Sequence, residues 1–480
     1  MTDCCAHQET ACGTSRNSYD LAVIGAGSAG FSAAITAAEQ GAHVALIGYG
    51  TIGGTCVNIG CVPSKNLIRA AESLHQAKAA SRFGGIAGEA RLTDWRAVIR
   101  RKDELVDTLR QAKYIDLLPA YNTIAYREGK ARFANGGITI DGMPLQAGKV
   151  IIATGASPSL PPIAGINSVP YLTSTTALAL ETLPKSLLVI GGGYIGCELG
   201  QMFARMGVHV TIVDIVPILS AGEPEISQAL AGYFREEGIV VRERIKPQSI
   251  RRTDRGIALE IVADGKEETI EAEQVLVTTG RRPNTDGMGL AEAGIALLPN
   301  GGIKVDERMR TTKPGVYAAG DVTARDPFVY MAAYGAKIAA LNALNGDSLV
   351  YDNTAMPAVV FTDPQAASVG LTETQARAGG LAVQTAILPL EHVPRALAAR
   401  DTRGLIKLVA EAGSGKLLGA HILAPEGADS IQTAALAIKH GMTVQELAAT
   451  IFPYLTTVEG LKLAAQTFEK DVAKLSCCAG

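Results

Sequence analysis

The chain has 480 residues, 47% of them hydrophobic, enough for a large core spread over two or three domains. Its net charge of −3 gives no reason to expect nucleic acid, and no uninterrupted apolar stretch is long enough to cross a bilayer. The opening "MTDCCAHQETACGTSRNS" has neither a basic start nor an apolar signal core, so a cytoplasmic location is expected.

Residues 1–17 are polar and without period, and read as a tail bearing Cys4, Cys5 and Cys12. Residues 19–25 read as a buried strand, 29–40 as an Ala-rich helix and 43–48 as a second strand. Between strand and helix, Gly25, Gly27 and Gly30 form G-x-G-x-x-G. Such a turn brings backbone close to a pyrophosphate at a helix N-terminus. A lone match is weak, but the strand–turn–helix–strand setting strengthens it. The pattern recurs in "KSLLVIGGGYIGCELGQMFARMGVHVTIVD", with Gly191, Gly193 and Gly196 and a strand ending at Asp214. A carboxylate there binds a ribose 2′-hydroxyl and repels a 2′-phosphate, so NADH is expected to serve at least as well as NADPH.

Two short apolar strands ending in Thr-Gly, within 150–163 and 275–285, read as the crossings into and out of an inserted domain. "GVYAAGDV" then places Asp321 beside Gly320 at a strand end, fit to hold a sugar hydroxyl or to cap its own turn. Beyond about residue 350 the strands "AVVFTDP" and "GLIKLVAE" precede helices expected near 426–450 and 457–473. The expected fold is α/β, with two Rossmann-like dinucleotide-binding domains and a C-terminal α+β domain. The expected boundaries are 1–17 for the tail, 18–155 and 279–350 for the first dinucleotide domain, 156–278 for the second, and 351–480 for the third.

The eight cysteines fall in clusters, not in the spread of a disulfide framework. In a reducing compartment that points to redox or metal chemistry. Cys56 and Cys61, in "GGTCVNIGCVPSK", form C-x4-C at the opening of a helix, with Lys65 one turn on. Helix amides favour a thiolate there. Cys477 and Cys478 adjoin near the carboxyl end. A disulfide between neighbours departs from relaxed geometry, so this pair reads as thiols that reach for something. For Cys4, Cys5 and Cys12 two readings stand, an auxiliary metal trap or incidental thiols. Cys197 reads as a small packing residue.

These motifs, with "GAGSAG", "ATG", "GGGYIGCELG", "GRRPNT" and "AAGD", resemble the flavin-dependent pyridine nucleotide–disulfide oxidoreductases over nearly all of residues 18–478. The resemblance implies FAD on the first dinucleotide domain, NAD(P) on the second and dimerisation through the third. It implies a homodimer whose active sites are shared between subunits. By it Cys56 is the interchange thiol and Cys61 the charge-transfer thiol. Lys65 and Glu198 form an ion pair near the flavin, and Tyr194 gates the nicotinamide. Thr55, Thr154, Gly155, Gly280 and Gly320, in the shared motifs, join the cofactor-binding set. One departure is Gly48, which stands where an acidic residue is expected for the adenosine ribose. Flavin binding must then lean on the glycine turn, Asp321 and surrounding packing.

Disulfide-reducing members carry a His–Glu pair in a C-terminal segment, and the histidine shuttles protons. The matching stretch here is "FPYLTTVEG", with Tyr454 in the histidine's place and Glu459 retained. A phenol with an ordinary pKa of roughly 10 is a poor base near neutrality. A soft metal ion needs no such base, and thiolates are its natural ligands. The combination, with "LSCCAG" at the end, is similar to the mercury(II)-reducing branch of the family. That implies reduction of thiol-bound Hg(II) on Cys56 and Cys61, after capture by Cys477 and Cys478 of the partner subunit. Tyr114, in "QAKYIDLL", and Tyr454 would lie near the metal. The alternative is a thioredoxin-reductase-type enzyme that relays electrons through the C-terminal pair.

Overall fold

The computed structural model describes residues 18–134 and 136–472. The chain gathers into two compact units. One is built from residues up to Ile52, Tyr114–Gly155 and Pro283–Tyr351; the other from Gly53–Lys113, Ala156–Arg282 and the chain from Asp352 on.

The first unit is organised by a sheet whose parallel strands run Ile124–Glu128, Val44–Gly48, Ser18–Ile24, Met143–Ile152 and Val316–Ala318. Leu21, Ala22, Val23 and Leu46 are fully buried, because crossover helices cover a parallel sheet and its strands can be apolar throughout. The helix Ser28–Glu39 is rich in alanine and lies close to the helix Val329–Asn345; Ser32 Oγ donates 2.8 Å to the Ala333 carbonyl across that seam. Gly137–Ile140 and Ala131–Ala134 extend the sheet antiparallel from Met143–Ile152.

In the second unit a four-stranded parallel sheet runs Val240–Arg242, His209–Val213, Ser186–Ile190, Gln274–Val277. The helix Tyr194–Arg205 follows its central glycine turn. A three-stranded antiparallel sheet, Lys246–Thr253, Gly256–Ala263 and Lys266–Ala272, is inserted before the last parallel strand. The helices Cys61–Ala79 and Trp95–Arg110 belong to this unit, and Trp95 Nε1 donates 2.7 Å to the Leu180 carbonyl. The C-terminal segment forms a five-stranded antiparallel sheet under the helices Gly427–Lys439 and Glu459–Gln466.

The helix expected near 426–450 is two helices, Gly427–Lys439 and Val444–Ala449. Gly441 takes φ +67°, which ends the first, and Thr443 opens the second in a reciprocal capping box with Glu446. The helix expected near 457–473 is shorter, Glu459–Gln466.

One buried charge ties the second unit together. Lys407, 2% exposed, lies 2.9 Å from Glu223, 2.8 Å from Glu225 and 3.0 Å from Glu373. Burial alone would push the ammonium's pKa down, but hydrogen bonds to the three carboxylates hold it well above the usual lysine range. Removing one partner of such a cluster leaves uncompensated buried charge. Lys407→Met should lower unfolding stability by about 3–5 kcal/mol. The loss should shrink as pH falls and the orphaned carboxylates take up protons. Denaturant titrations at acidic and neutral pH would check both effects, and equal stability of variant and wild type at neutral pH would contradict them.

Candidate active site

In the first unit, Gly25 takes φ +121°, and a Cβ on it would overlap the Ala153 carbonyl. A Cβ on Gly30 would overlap the carbonyl of Gly25. Only glycine allows strand, turn and helix to approach this closely. Gly27 is the N-cap residue of the helix Ser28–Glu39, which has no side-chain cap and no acidic residue in its first turn. Its first amides therefore stay available to an anionic group, which fits a dinucleotide pyrophosphate. Thr154 and Gly155 are braced by Asn284. Thr154 Oγ1 donates 2.7 Å to the Asn284 carbonyl, Asn284 Nδ2 donates 2.9 Å to the Thr154 carbonyl, and Asn284 N donates 2.9 Å to the Gly155 carbonyl. Gly320 lets its turn pass close to Ala29 and Ala332, and Asp321 follows at the head of a 3-10 turn. Tyr114 lies in a π-helical stretch, Gln111–Ile115. Its ring meets Phe31 edge-on at 4.8 Å and its hydroxyl is 3.4 Å from Ser28 Oγ, so it packs on the first turn of the helix Ser28–Glu39.

The second unit repeats the turn. Gly191, Gly193 and Gly196 take the same roles, and the helix Tyr194–Arg205 again has no side-chain cap and no acid in its first turn. The Asp214 carboxylate is held at this turn, accepting from Gly192 N at 2.6 Å and Val216 N at 3.1 Å. Each oxygen keeps a lone pair for a sugar hydroxyl. Gly280 accepts 3.1 Å from Ser159 N at the neighbouring strand end. Tyr194, first residue of the helix, lines a cleft with Glu223, Val360 and His421, and burial pushes its pKa up. Cys197 is buried and its thiol donates to the Gly192 carbonyl at 3.3 Å, as a packing residue would.

The thiol pair sits on two consecutive helices. Thr55 and Cys56 lie in Gly54–Ile59, and Cys61 is the first residue of Cys61–Ala79. Gly60 joins them; a Cβ on it would stand 2.9 Å from the Thr55 carbonyl and 3.3 Å from Cys56 Cα. Cys61 thus meets uncapped helix amides with no acid in the first turn. Its pKa is lowered to about 7, first by the hydrogen bond from the Cys56 thiol, against the opposing pull of burial, and then by the Lys65 charge. The same hydrogen bond, with burial, pushes the Cys56 thiol far up. One thiolate and one thiol therefore share a single proton. Lys65 Nζ is 2.6 Å from Glu198 Oε2 and 4.8 Å above the Phe361 ring. Glu198 Oε1 accepts 2.9 Å from Phe361 N, so the carboxylate, 7% exposed, fixes where the ammonium stands.

Tyr454 is 56% exposed on a tight turn whose next residue, Leu455, takes φ +59°. Glu459, buried, accepts from Leu455 N at 3.1 Å. The retained glutamate thus holds the turn that carries Tyr454. Cys477 and Cys478, like Cys4, Cys5 and Cys12, lie outside the described residues. Among the described residues no group of three or more His, Cys, Asp or Glu is placed to hold a metal ion.

Asn284 and Phe361 support the site through contacts that sequence reasoning missed. Asn284 stood inside the quoted "GRRPNT" and was readable; Phe361 acts through contacts made only by the fold. Changing Lys65 to Met should raise the pH midpoint of Cys61 ionisation from about 7, because a cation that lowers it is lost. An ultraviolet thiolate titration of the reduced protein reads this midpoint. An unchanged midpoint would remove Lys65 from the thiolate's support.

Comparison with known proteins places the chain in a family. Residues 19–340 match the family described as pyridine nucleotide-disulphide oxidoreductase, and residues 356–465 match its dimerisation domain. The chain is 49% identical over 468 residues to a mercuric reductase of Streptomyces lividans, covering 96% of this chain and 98% of that one. It is 48% identical to a mercuric reductase of Shigella flexneri, covering 97% and 84%. Among solved structures it is similar to the Cu(II) complex of the HOCl-induced flavoprotein disulfide reductase RclA of Escherichia coli, with 31% identity, 95% and 100% coverage and a TM-score of 0.83. No helix among the described residues is long and apolar enough to cross a membrane. The chain belongs to the pyridine nucleotide-disulphide oxidoreductases and, within them, to the mercuric reductase family.

Proposed function

We propose that the chain is a homodimeric, FAD-dependent NAD(P)H:mercury(II) oxidoreductase that reduces thiol-bound Hg(II) to Hg(0). The observation that carries this is the thiol pair with split acidities, in a chain where Tyr454 replaces a base. Gly25, Gly27, Gly30, Thr154, Gly155, Gly320 and Asp321 would hold FAD. Gly191, Gly193, Gly196, Tyr194, Asp214 and Gly280 would hold the nicotinamide nucleotide. Bound flavin supplies the exchange between a hydride from NAD(P)H and electron pairs delivered at the thiols.

The remaining steps belong to the protein's own groups. Cys477 and Cys478 of the partner subunit take Hg(II) from solution thiols. The Cys61 thiolate and Cys56 then displace that pair, each new S–Hg bond replacing an old one. The Cys56 proton passes to a departing thiolate. Two electrons convert Hg(II) to Hg(0), so that NAD(P)H and Hg(II) yield NAD(P)+, H+ and Hg(0). Tyr114 and Tyr454 are assigned to the mercury site, and Lys65 and Glu198 keep the thiolate charged. The domain boundaries 18–155, 156–278, 279–350 and 351–480, the shared active sites and a cytoplasmic location belong to the same reading.

Asp214 supports NADH, since its carboxylate would face a 2′-phosphate with like charge. Oxidation of NADH and of NADPH, each started by Hg(II) in excess small thiol, tests function and preference together. Hg(II)-dependent oxidation is expected, with kcat/KM for NADH at least equal to that for NADPH. A clearly higher value with NADPH would refute the role of Asp214. The likeness to a flavoprotein disulfide reductase keeps thioredoxin-type disulfide reduction as the second reading. Oxidation driven by thioredoxin disulfide and none by Hg(II) would favour it.

Replacing Cys477 and Cys478 together by Ala should slow turnover mainly when Hg(II) arrives on bulky thiols. Equal rates with bulky and small thiols in that variant would remove the relay.

A further inference from the structure

Gly48 ends the strand Val44–Gly48, where a dinucleotide fold ordinarily carries the carboxylate for the adenosine ribose. Its φ is not in the left-handed region, so conformation does not ask for glycine. Space does. A Cβ on Gly48 would overlap the Tyr126 hydroxyl and stand 2.8 Å from Tyr126 Cε2 and 2.9 Å from Cζ. Strand Ile124–Glu128 runs parallel beside it, with Tyr126 opposite Leu46 and Glu128 opposite Gly48. The Tyr126 side chain therefore reaches two residue pairs along, to the carboxyl end of the strand. Ligands of open α/β sheets bind at that end.

The Tyr126 hydroxyl is half-buried and has no protein hydrogen-bond partner among the described residues. Burial and the nearby Glu128 carboxylate push its pKa up, so it stays a neutral O–H. It offers one donor and acceptor lone pairs, which match the two hydroxyls of a ribose. A carboxylate can only accept.

We propose that the Tyr126 hydroxyl takes the place of the missing carboxylate and hydrogen-bonds the adenosine ribose of FAD. The assignment rests on the FAD reading above. A neutral bond is weaker than a charge-assisted one, so the ribose contributes less to affinity here than a glutamate at position 48 would allow. The larger share then falls to the pyrophosphate turn.

Apoprotein of wild type and of Tyr126→Phe, titrated with FAD by flavin fluorescence, tests this. The second ligand is an FAD analogue lacking both hydroxyls of the adenosine ribose. Wild type should bind FAD roughly three- to tenfold tighter than the analogue, and Tyr126→Phe should lose most of that preference. An undiminished preference in the variant, or none in wild type, overturns the assignment. A wild type that binds neither ligand overturns the FAD reading instead. Gly48→Glu alone should weaken FAD binding, because Tyr126 occupies the space, and adding Tyr126→Ala should restore it. No recovery in the double variant counts against the proposal.

Discussion

The chemistry depends on keeping one sulfur charged in a half-buried place. Cys61 begins a 19-residue helix with no side-chain cap and no acid in its first turn. Helix amides, the Cys56 proton and Lys65 all act on that one sulfur, and Glu198 acts against them. Glu198 nevertheless serves the thiolate, because it anchors Lys65 and is itself anchored by Phe361 N. A freely moving ammonium would be screened by water and contribute little. The ion pair trades some of the cation's field for a fixed position.

The two dinucleotide turns offer the same device, uncapped helix amides facing outward, to an anion that does not belong to the chain. There the uncapped amides are open to an anionic group, and glycines let strand, turn and helix approach closely, as the proposed pyrophosphate contacts require. The strand ends beyond the turns differ. Asp214 is locked onto Gly192 N and Val216 N and suits a sugar hydroxyl. At the equivalent strand end of the first unit, Gly48 leaves room for a phenol from the next strand. On the proposed cofactor assignments, one fold element would meet a ribose in two ways, one anionic and one neutral.

Much of this was legible in the chain. The glycine spacing and C-x4-C are local patterns whose chemistry follows from residue type, whereas Tyr454 stood out only through the family resemblance. The glycine at 48 was legible as a departure, but its cause was not. Tyr126 is 78 positions away, and only the parallel register brings its ring over Gly48. Lys407 is similar: it stands in an apolar strand, "GLIKLVAE", and its three glutamates come from distant segments. The break between the helices at Gly441 differs in kind. Gly-Met-Thr followed by Glu446 is a local stop and start signal, present in the sequence and read past.

Mercury reduction at this thiol pair is tested most directly by counting electrons and atoms together. NADH consumed and Hg(0) volatilised would be measured in one sealed vessel, with Hg(II) held on excess small thiol. One Hg(0) released for each NADH oxidised is the expected result. NADH consumed without Hg(0) would contradict it, because the electrons would then end on a disulfide or on oxygen.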